Sequence, residues 1–141
     1  GFLIILAILG EGQVRAMSQR AFDHGMFVLL EVFAKTELHL ATNMLSAFSN
    51  NSKQLLIGVN CRDLNTLEVN FSNFEKLAAD LPNSAMCVAE SGVNNLDDLQ
   101  RVIDMGFGSA LIGTALMQSN SPTTKLHEMK HFARKAMVAR P

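Results

Sequence analysis

The stretch from 86 to 99, Met86-Cys87-Val88-Ala89-Glu90-Ser91-Gly92-Val93-Asn94-Asn95-Leu96-Asp97-Asp98-Leu99, runs from apolar to polar within one step. A short continuous apolar run reads as a strand buried on both faces, here Ala85 to Ala89. Its tip delivers a carboxylate, a hydroxyl and a glycine together: Glu90, Ser91 and Gly92. Asn95 then caps a helix that Gly106 ends. A buried strand whose end carries reactive groups, followed at once by a helix, is the unit that the rest of the chain repeats.

Working outward, Phe2 to Ile8 is an apolar run that reads as a strand, and Glu11 to His24 reads as a helix with Val14, Met17 and Phe22 apolar and Gly25 as its stop. Met26 to Val32 is a second apolar run containing Glu31. Thr36 is placed to cap a helix reaching about Phe48, and Ser49-Asn50-Asn51-Ser52 is a polar break. Gln54 to Val59 reads as the third strand, tipped by Asn60. Ser72 and Glu75 have the spacing of a capping box for a helix that ends before Pro82. Ser109 to Gly113 reads as the fifth strand. Ser121-Pro122 opens a last helix with Leu126, Met129, Phe132 and Ala133 on one stripe.

Strand and helix alternate with a period of about 30 residues, that of the βαβ unit, so the class is α/β with a parallel sheet. An open doubly wound sheet and part of a (β/α)8 TIM barrel both fit the alternation. No dinucleotide-type glycine fingerprint follows a strand. The polar residues stand at strand tips instead: Glu31, Asn60, Glu90 and Gly113. In a barrel those tips share one rim, where active sites are built, and this favours the barrel.

Composition narrows the function. The chain has 141 residues, 48% hydrophobic and 18% charged, with net charge −1 and neither Trp nor Tyr. That is a globular composition with no polyanion-binding surface and no basic–aromatic cluster for nucleic acid. The N-terminal apolar run is too short to span a bilayer and lacks the basic start of a signal peptide. The chain starts without Met, and a strand begins at residue 2, so a preceding segment is expected to have been cut away. Cys61 and Cys87 make neither a metal spacing nor a disulfide framework, and a reduced cytoplasmic thiol is the expectation for both. His24, His39, His127 and His131 lie on helices or helix ends, away from the rim, and read as surface residues. The methionines, scattered along apolar stripes, read as core.

Three constellations carry chemistry. At Asn60-Cys61-Arg62-Asp63-Leu64 an amide and a guanidinium suit an anionic, oxygen-rich ligand; equally, Arg62 and Asp63 can brace the loop. At Ser91-Gly92 and Gly113-Thr114 the glycines let backbone approach an oxyanion, as in the phosphate cradle after the last two strands of many barrels. The plainer reading makes Gly92 a turn residue and Gly113 room for a helix. Glu31, set among Leu30 and Val32, is a candidate acid or base with a raised pKa, or else a structural carboxylate paired with a cation such as Arg62.

Four segments, "LLEVF" (29–33), "LIGVNCRDLNTLEVNF" (56–71), "VAESGV" (88–93) and "ALIGTALMQS" (110–119), together resemble indole-3-glycerol phosphate synthase of tryptophan biosynthesis. The likeness covers almost the whole chain, from about the fourth strand of that family's barrel to its C-terminus. It implies that residues 1–141 are the C-terminal part of a single TIM-barrel domain, about its last five strand–helix units. It also implies a cytoplasmic carboxy-lyase that closes an indole ring on 1-(o-carboxyphenylamino)-1-deoxyribulose 5-phosphate, losing CO2 and water, without metal or organic cofactor. Carried over by motif, the catalytic residues would be Glu31, Asn60 and Glu90. Glu31 would be the acid/base of the dehydration, and Glu90 would face the reacting rings. Arg62 and Leu111 would contact the substrate, while Ser91, Gly92, Gly113 and Thr114 would hold its phosphate.

The chain departs from the family pattern in places. Cys61 stands where Asn or Ser is usual, and Thr114 where Ser is usual. The segment between Thr36 and Leu55 is longer, with 49–53 as an extra loop expected on the face opposite the site. No residue is assigned to the family's general-acid lysine, its second lysine near the phosphate, or its other glutamate, all on the first three strands. The 141 residues alone are therefore expected not to catalyse. They are expected to need the missing strands in cis or in trans, or to self-associate through the unpaired edge. A phosphoribosyl isomerase type of barrel enzyme and a non-catalytic half-barrel with a partner chain are the alternatives.

Overall fold

Short runs of Leu, Ile and Val make strands here because their branched side chains pack on a pleated surface. The computed structural model describes residues 1–63 and 66–138. Five strands, β1 (Phe2–Ile5), β2 (Val28–Val32), β3 (Leu55–Asn60), β4 (Met86–Glu90) and β5 (Ser109–Leu111), form one sheet in chain order. Every pairing is parallel. The helices are α1 (Glu11–Asp23), α2 (Lys35–Ala47), α3 (Ser72–Ala78), α4 (Leu96–Asp104), α5 (Thr114–Met117) and α6 (Pro122–Val138).

Strand order decides between the two architectures. A doubly wound sheet reverses its order at a switch point and carries helices on both faces. Here each strand neighbours the next one in sequence, and right-handed crossovers then put the connecting helices on one face. Burial agrees. Val28, Leu30, Val32, Leu55, Ile57, Val59, Cys87 and Ala89 alternate along their strands, and all are buried beneath the helices. Each such apolar side chain contributes roughly 1.5–3 kcal/mol of burial. The other face carries Leu3, Leu29, Glu31, Gly58, Asn60, Val88, Glu90 and Leu111, and no helix of the described residues covers it. The fold is five consecutive strand–helix units of a (β/α)8 barrel, with β1 and β5 as edges among the described residues.

Several expected boundaries shift. The strand expected over 2–8 stops at Ile5, and a 3-10 turn, Leu6–Ile8, follows. β3 and β4 extend to include Asn60 and Glu90, while β5 ends at Leu111 rather than Gly113. Met17 is exposed. The buried stripe of α1 is Val14, Ser18, Ala21 and Phe22, spaced at i, i+4, i+7 and i+8. Met44 and Met129 are core, but Met86 and Met117 are exposed. The alternation of β4 turns Met86 to the helix-free face.

The caps differ in chemistry as well. Ser72 and Glu75 make no capping box. Asn70 Oδ1 accepts from the Ser72 amide and hydroxyl, and Glu75 pairs with Arg101 at 2.8 Å. Thr36 does not cap α2, because the helix begins one residue earlier, at Lys35. Glu37 reaches back to the Phe33 and Ala34 amides at 2.7 and 3.1 Å instead. Asn95 does cap α4, accepting from the Asp98 amide at 2.8 Å, and Ser121 caps α6. The polar segment Ser49–Gln54 is a 3-10 stretch before β3, at the end of the sheet opposite the strand tips.

Candidate functional site

The strand tips assemble the site in two layers. The deeper layer is Glu31, Asn60 and Glu90, from adjacent strands and buried to 8%, 7% and 2% exposure. Asn60 Nδ2 donates to Glu31 Oε1 at 3.1 Å, and Asn60 Oδ1 accepts from the Arg62 amide at 2.9 Å. The Cys61 amide donates to the Glu90 carbonyl at 3.1 Å, continuing the β3–β4 ladder past its last pair, Asn60 and Glu90. Among the described residues no donor reaches Glu90 Oε1, while the Glu90 and Glu31 carboxyls share a hydrogen bond. Burial and the neighbouring Glu31 carboxylate raise the Glu90 pKa from 4.5 to about 8. A carboxylic acid kept neutral near pH 7 can donate a proton or a hydrogen bond.

Gly58 makes room for this layer. A Cβ there would overlap the Glu90 carboxyl and press on Leu29. The glycine is thus required by the carboxylate on the next strand rather than by its own backbone.

The outer layer is a cleft of about 390 Å³ at the rim. Arg62, Ser91, Gly92, Leu111, Gly113 and Thr114 all line it, with Val69 and Asn94. Ser91 and Gly92 both have left-handed backbone, φ 64° and 71°. A non-glycine residue held there stores roughly 1–3 kcal/mol, which places strain at the β4 tip. Gly92 has a second reason to be glycine: its Cβ would meet Cys61 Sγ at 2.6 Å. Gly113, by contrast, has open space where a Cβ would stand, so it does not serve to admit a helix.

The alternative roles are realised in part. Glu31 bonds the Asn60 amide rather than Arg62, and the Arg62 guanidinium donates to the Leu67 carbonyl at 2.9 Å, so Arg62 braces the loop after β3. Asp63 Oδ1 accepts from the Thr66 amide in the same loop. Leu64, part of the motif at 60–64, lies outside the described residues, as does Asn65. Burial pushes the Cys61 and Cys87 thiols up to about 11, which favours the neutral thiol over the nucleophilic thiolate, and neither is in a disulfide. All four histidines are exposed. A second cleft of about 320 Å³, between α6 and α4, is apolar and remote from the carboxylates.

One residue of the site escaped the sequence reading. Asn73, on α3 and 8% exposed, donates from Nδ2 to the carbonyls of Phe33 and Asn60, both at 3.0 Å. Its only signal is a poor helix former placed beside the buried Phe74 and Leu77.

Residues 1–129 match the family model for indole-3-glycerol phosphate synthase. The indole-3-glycerol phosphate synthase of Koribacter versatilis is 35% identical over 127 residues, covering 90% of this chain and 46% of that protein. That of Lacticaseibacillus casei is 36% identical over 131 residues, covering 93% and 47%. The chain spans about half the length of the curated relatives it matches. Among solved structures, 3-hexulose-6-phosphate synthase from Salmonella typhimurium superposes with a TM-score of 0.70, at 9% identity, over 96% of this chain and 62% of that one. Thiamine phosphate pyrophosphorylase from Pyrococcus furiosus gives 0.66 at 13% identity, over 97% and 60%. These two likenesses speak for the fold alone. With a match running through the strand tips that carry Glu31, Asn60 and Glu90, the chain belongs to the indole-3-glycerol phosphate synthase family.

Proposed function

We propose that these residues form the C-terminal part of a single-domain barrel enzyme, a carboxy-lyase. It converts 1-(o-carboxyphenylamino)-1-deoxyribulose 5-phosphate to indole-3-glycerol phosphate. The observation that carries this reading is the pairing of a buried carboxylate–amide–carboxylate layer with a glycine-bearing cleft on one rim. Ser91, Gly92, Gly113 and Thr114 hold the phosphate, with Arg62 and Leu111 against the rest of the substrate. Capture of the remote phosphate orients the far end for ring closure. Glu31 moves the proton in the dehydration, held by Asn60. Glu90, neutral at physiological pH, faces the reacting rings and stabilises negative charge through its acid proton.

The test begins with the intact mass of the protein from its source, against 15.4 kDa for this chain. Ring closure is then assayed on the source protein, with Glu31→Gln expected to lower kcat by about 10²–10⁴. Ser91→Ala and Thr114→Ala are expected to raise KM instead. Turnover of a phosphoribosyl isomerase substrate in place of the anthranilate-derived one would overturn the assignment. The 141 residues alone are expected to be inactive, because nothing in them takes the place of the family's lysines.

A second reading, a half-barrel completed by a separate chain, is favoured by the exposure of Leu3, Met86 and Leu111 on the helix-free face. Size-exclusion chromatography separates the two: a stable monomer of this mass speaks against it.

A further inference from the structure

We infer that Asn73 is a positioning residue, a clamp across the tips of β2 and β3 that sets the spacing of Glu31 and Asn60. The inference rests on the reading of those two as catalytic groups. The β2–β3 register ends at Val32 opposite Val59. One residue further on, the Phe33 and Asn60 carbonyls lie beyond the last rung. Asn73 donates both hydrogens of one amide to them, at 3.0 and 3.0 Å, and so supplies the rung that the backbone lacks.

The clamp stands on a rigid base. The Asn73 backbone N–H donates to the Asn70 carbonyl at 3.0 Å at the start of α3. Its neighbour Phe74 is fully buried, with its ring edge-on to Phe71 and Phe107 at centroid distances of 5.1 and 5.2 Å. The consequence is local and directional. Asn60 is held at its backbone by Asn73, while its side chain reaches Glu31 at 3.1 Å. Phe33, the other carbonyl, follows Glu31 by two residues, just past the end of β2. Without the clamp the two tips part, water enters between them, and the Glu31–Asn60 contact lengthens.

The experiment uses the protein as its source makes it, with Asn73→Ala and the milder Asn73→Ser, which keeps one donor. Two readouts are taken: the titration of Glu90 by carbon NMR of labelled glutamate, and steady-state kinetics of ring closure. The charged group acting on Glu90 in that titration is Glu31, from β2. Asn73→Ala is expected to lower the Glu90 midpoint by about one unit as water reaches the layer. It is expected to lower kcat roughly 10–100-fold, with KM within about threefold, since the phosphate cleft is untouched. Asn73→Ser falls between. A midpoint that stays put overturns the inference whether or not kcat falls. So does a loss of kcat that merely tracks thermal unfolding and is recovered on cooling. A shifted midpoint with unchanged kcat keeps the clamp and instead defeats the catalytic reading of Glu31, as does a fully active Glu31→Gln.

Discussion

The two faces of the sheet are built from the same strands and obey different rules. Under the helices, Leu30, Leu55, Ile57 and Ala89 are almost completely buried, and among the described strand residues the ionisable side chain there is the Cys87 thiol, held neutral by burial. Across the pleat, Leu3 and Met86 are 41% and 54% exposed at the N-terminal half of their strands, while Glu31, Asn60 and Glu90 are buried at the C-terminal tips. One face is a core. The other is the floor of the candidate site, where the Glu90 carboxyl is buried with an oxygen, Oε1, that no donor among the described residues reaches. Apolar packing is concentrated on one side of the sheet, and the candidate site carboxylates lie on the other.

The sharpest way to break this contrast is a matched pair of truncations. In the 141-residue chain, Ile57→Ala is expected to cost about 3 kcal/mol by urea denaturation. Met86→Ala, on the other face, is expected to cost less than about 0.5 kcal/mol. In the source protein, a large cost for Met86→Ala would show that further chain covers the inner face there.

The next largest effect is on pH. Between pH 4.5 and about 8 the folded state keeps a proton on Glu90 that the unfolded chain releases. The stability that protonation contributes is complete below pH 4.5 and is lost as pH rises towards 8. Glu90→Gln is expected to flatten that fall and to be more stable than wild type at pH 8, by about 1–3 kcal/mol. Equal stability of the two proteins at pH 8, with parallel pH profiles, would sink the account of a raised Glu90.

Gly92→Ala is expected to cost about 1–2 kcal/mol, through left-handed backbone and a methyl group against Cys61, and to weaken phosphate binding. A normal denaturation midpoint would show that the β4 tip relaxes freely. The smallest effect is at a helix start far from the chemistry. Asn95→Ala is expected to cost about 1 kcal/mol, with KM unchanged.

Much of this was legible in the residues. Strand and helix alternation, the apolar cores of β2 to β4 and the Asn95 cap follow from local patterns that need no partner. The polar tips were legible because an unbroken apolar run leaves only its end for Glu31, Asn60 and Glu90. Caps made by neighbours were less so. Asn70 displaced the Ser72–Glu75 box, and Glu37 displaced Thr36, because several side chains compete for the same amides and spacing does not rank them. The end of β1 was missed for a similar reason: Leu6 and Ile8 are as apolar as a strand residue, but they turn away in a 3-10 step.

By itself the sequence determined the class of the fold, the direction of the chain through it and the set of residues at the tips. Periodicity and turn chemistry are local, and motifs survive in one dimension. Only the tertiary structure decided which face of each strand met helices. It also decided that Gly58 yields its space to Glu90, that Glu90 lies beside Glu31, and that Asn73 bridges two strand ends. Those facts depend on register between segments 13 to 59 residues apart, from Asn60–Asn73 to Glu31–Glu90. Register is set by packing across the whole sheet, which no local pattern contains.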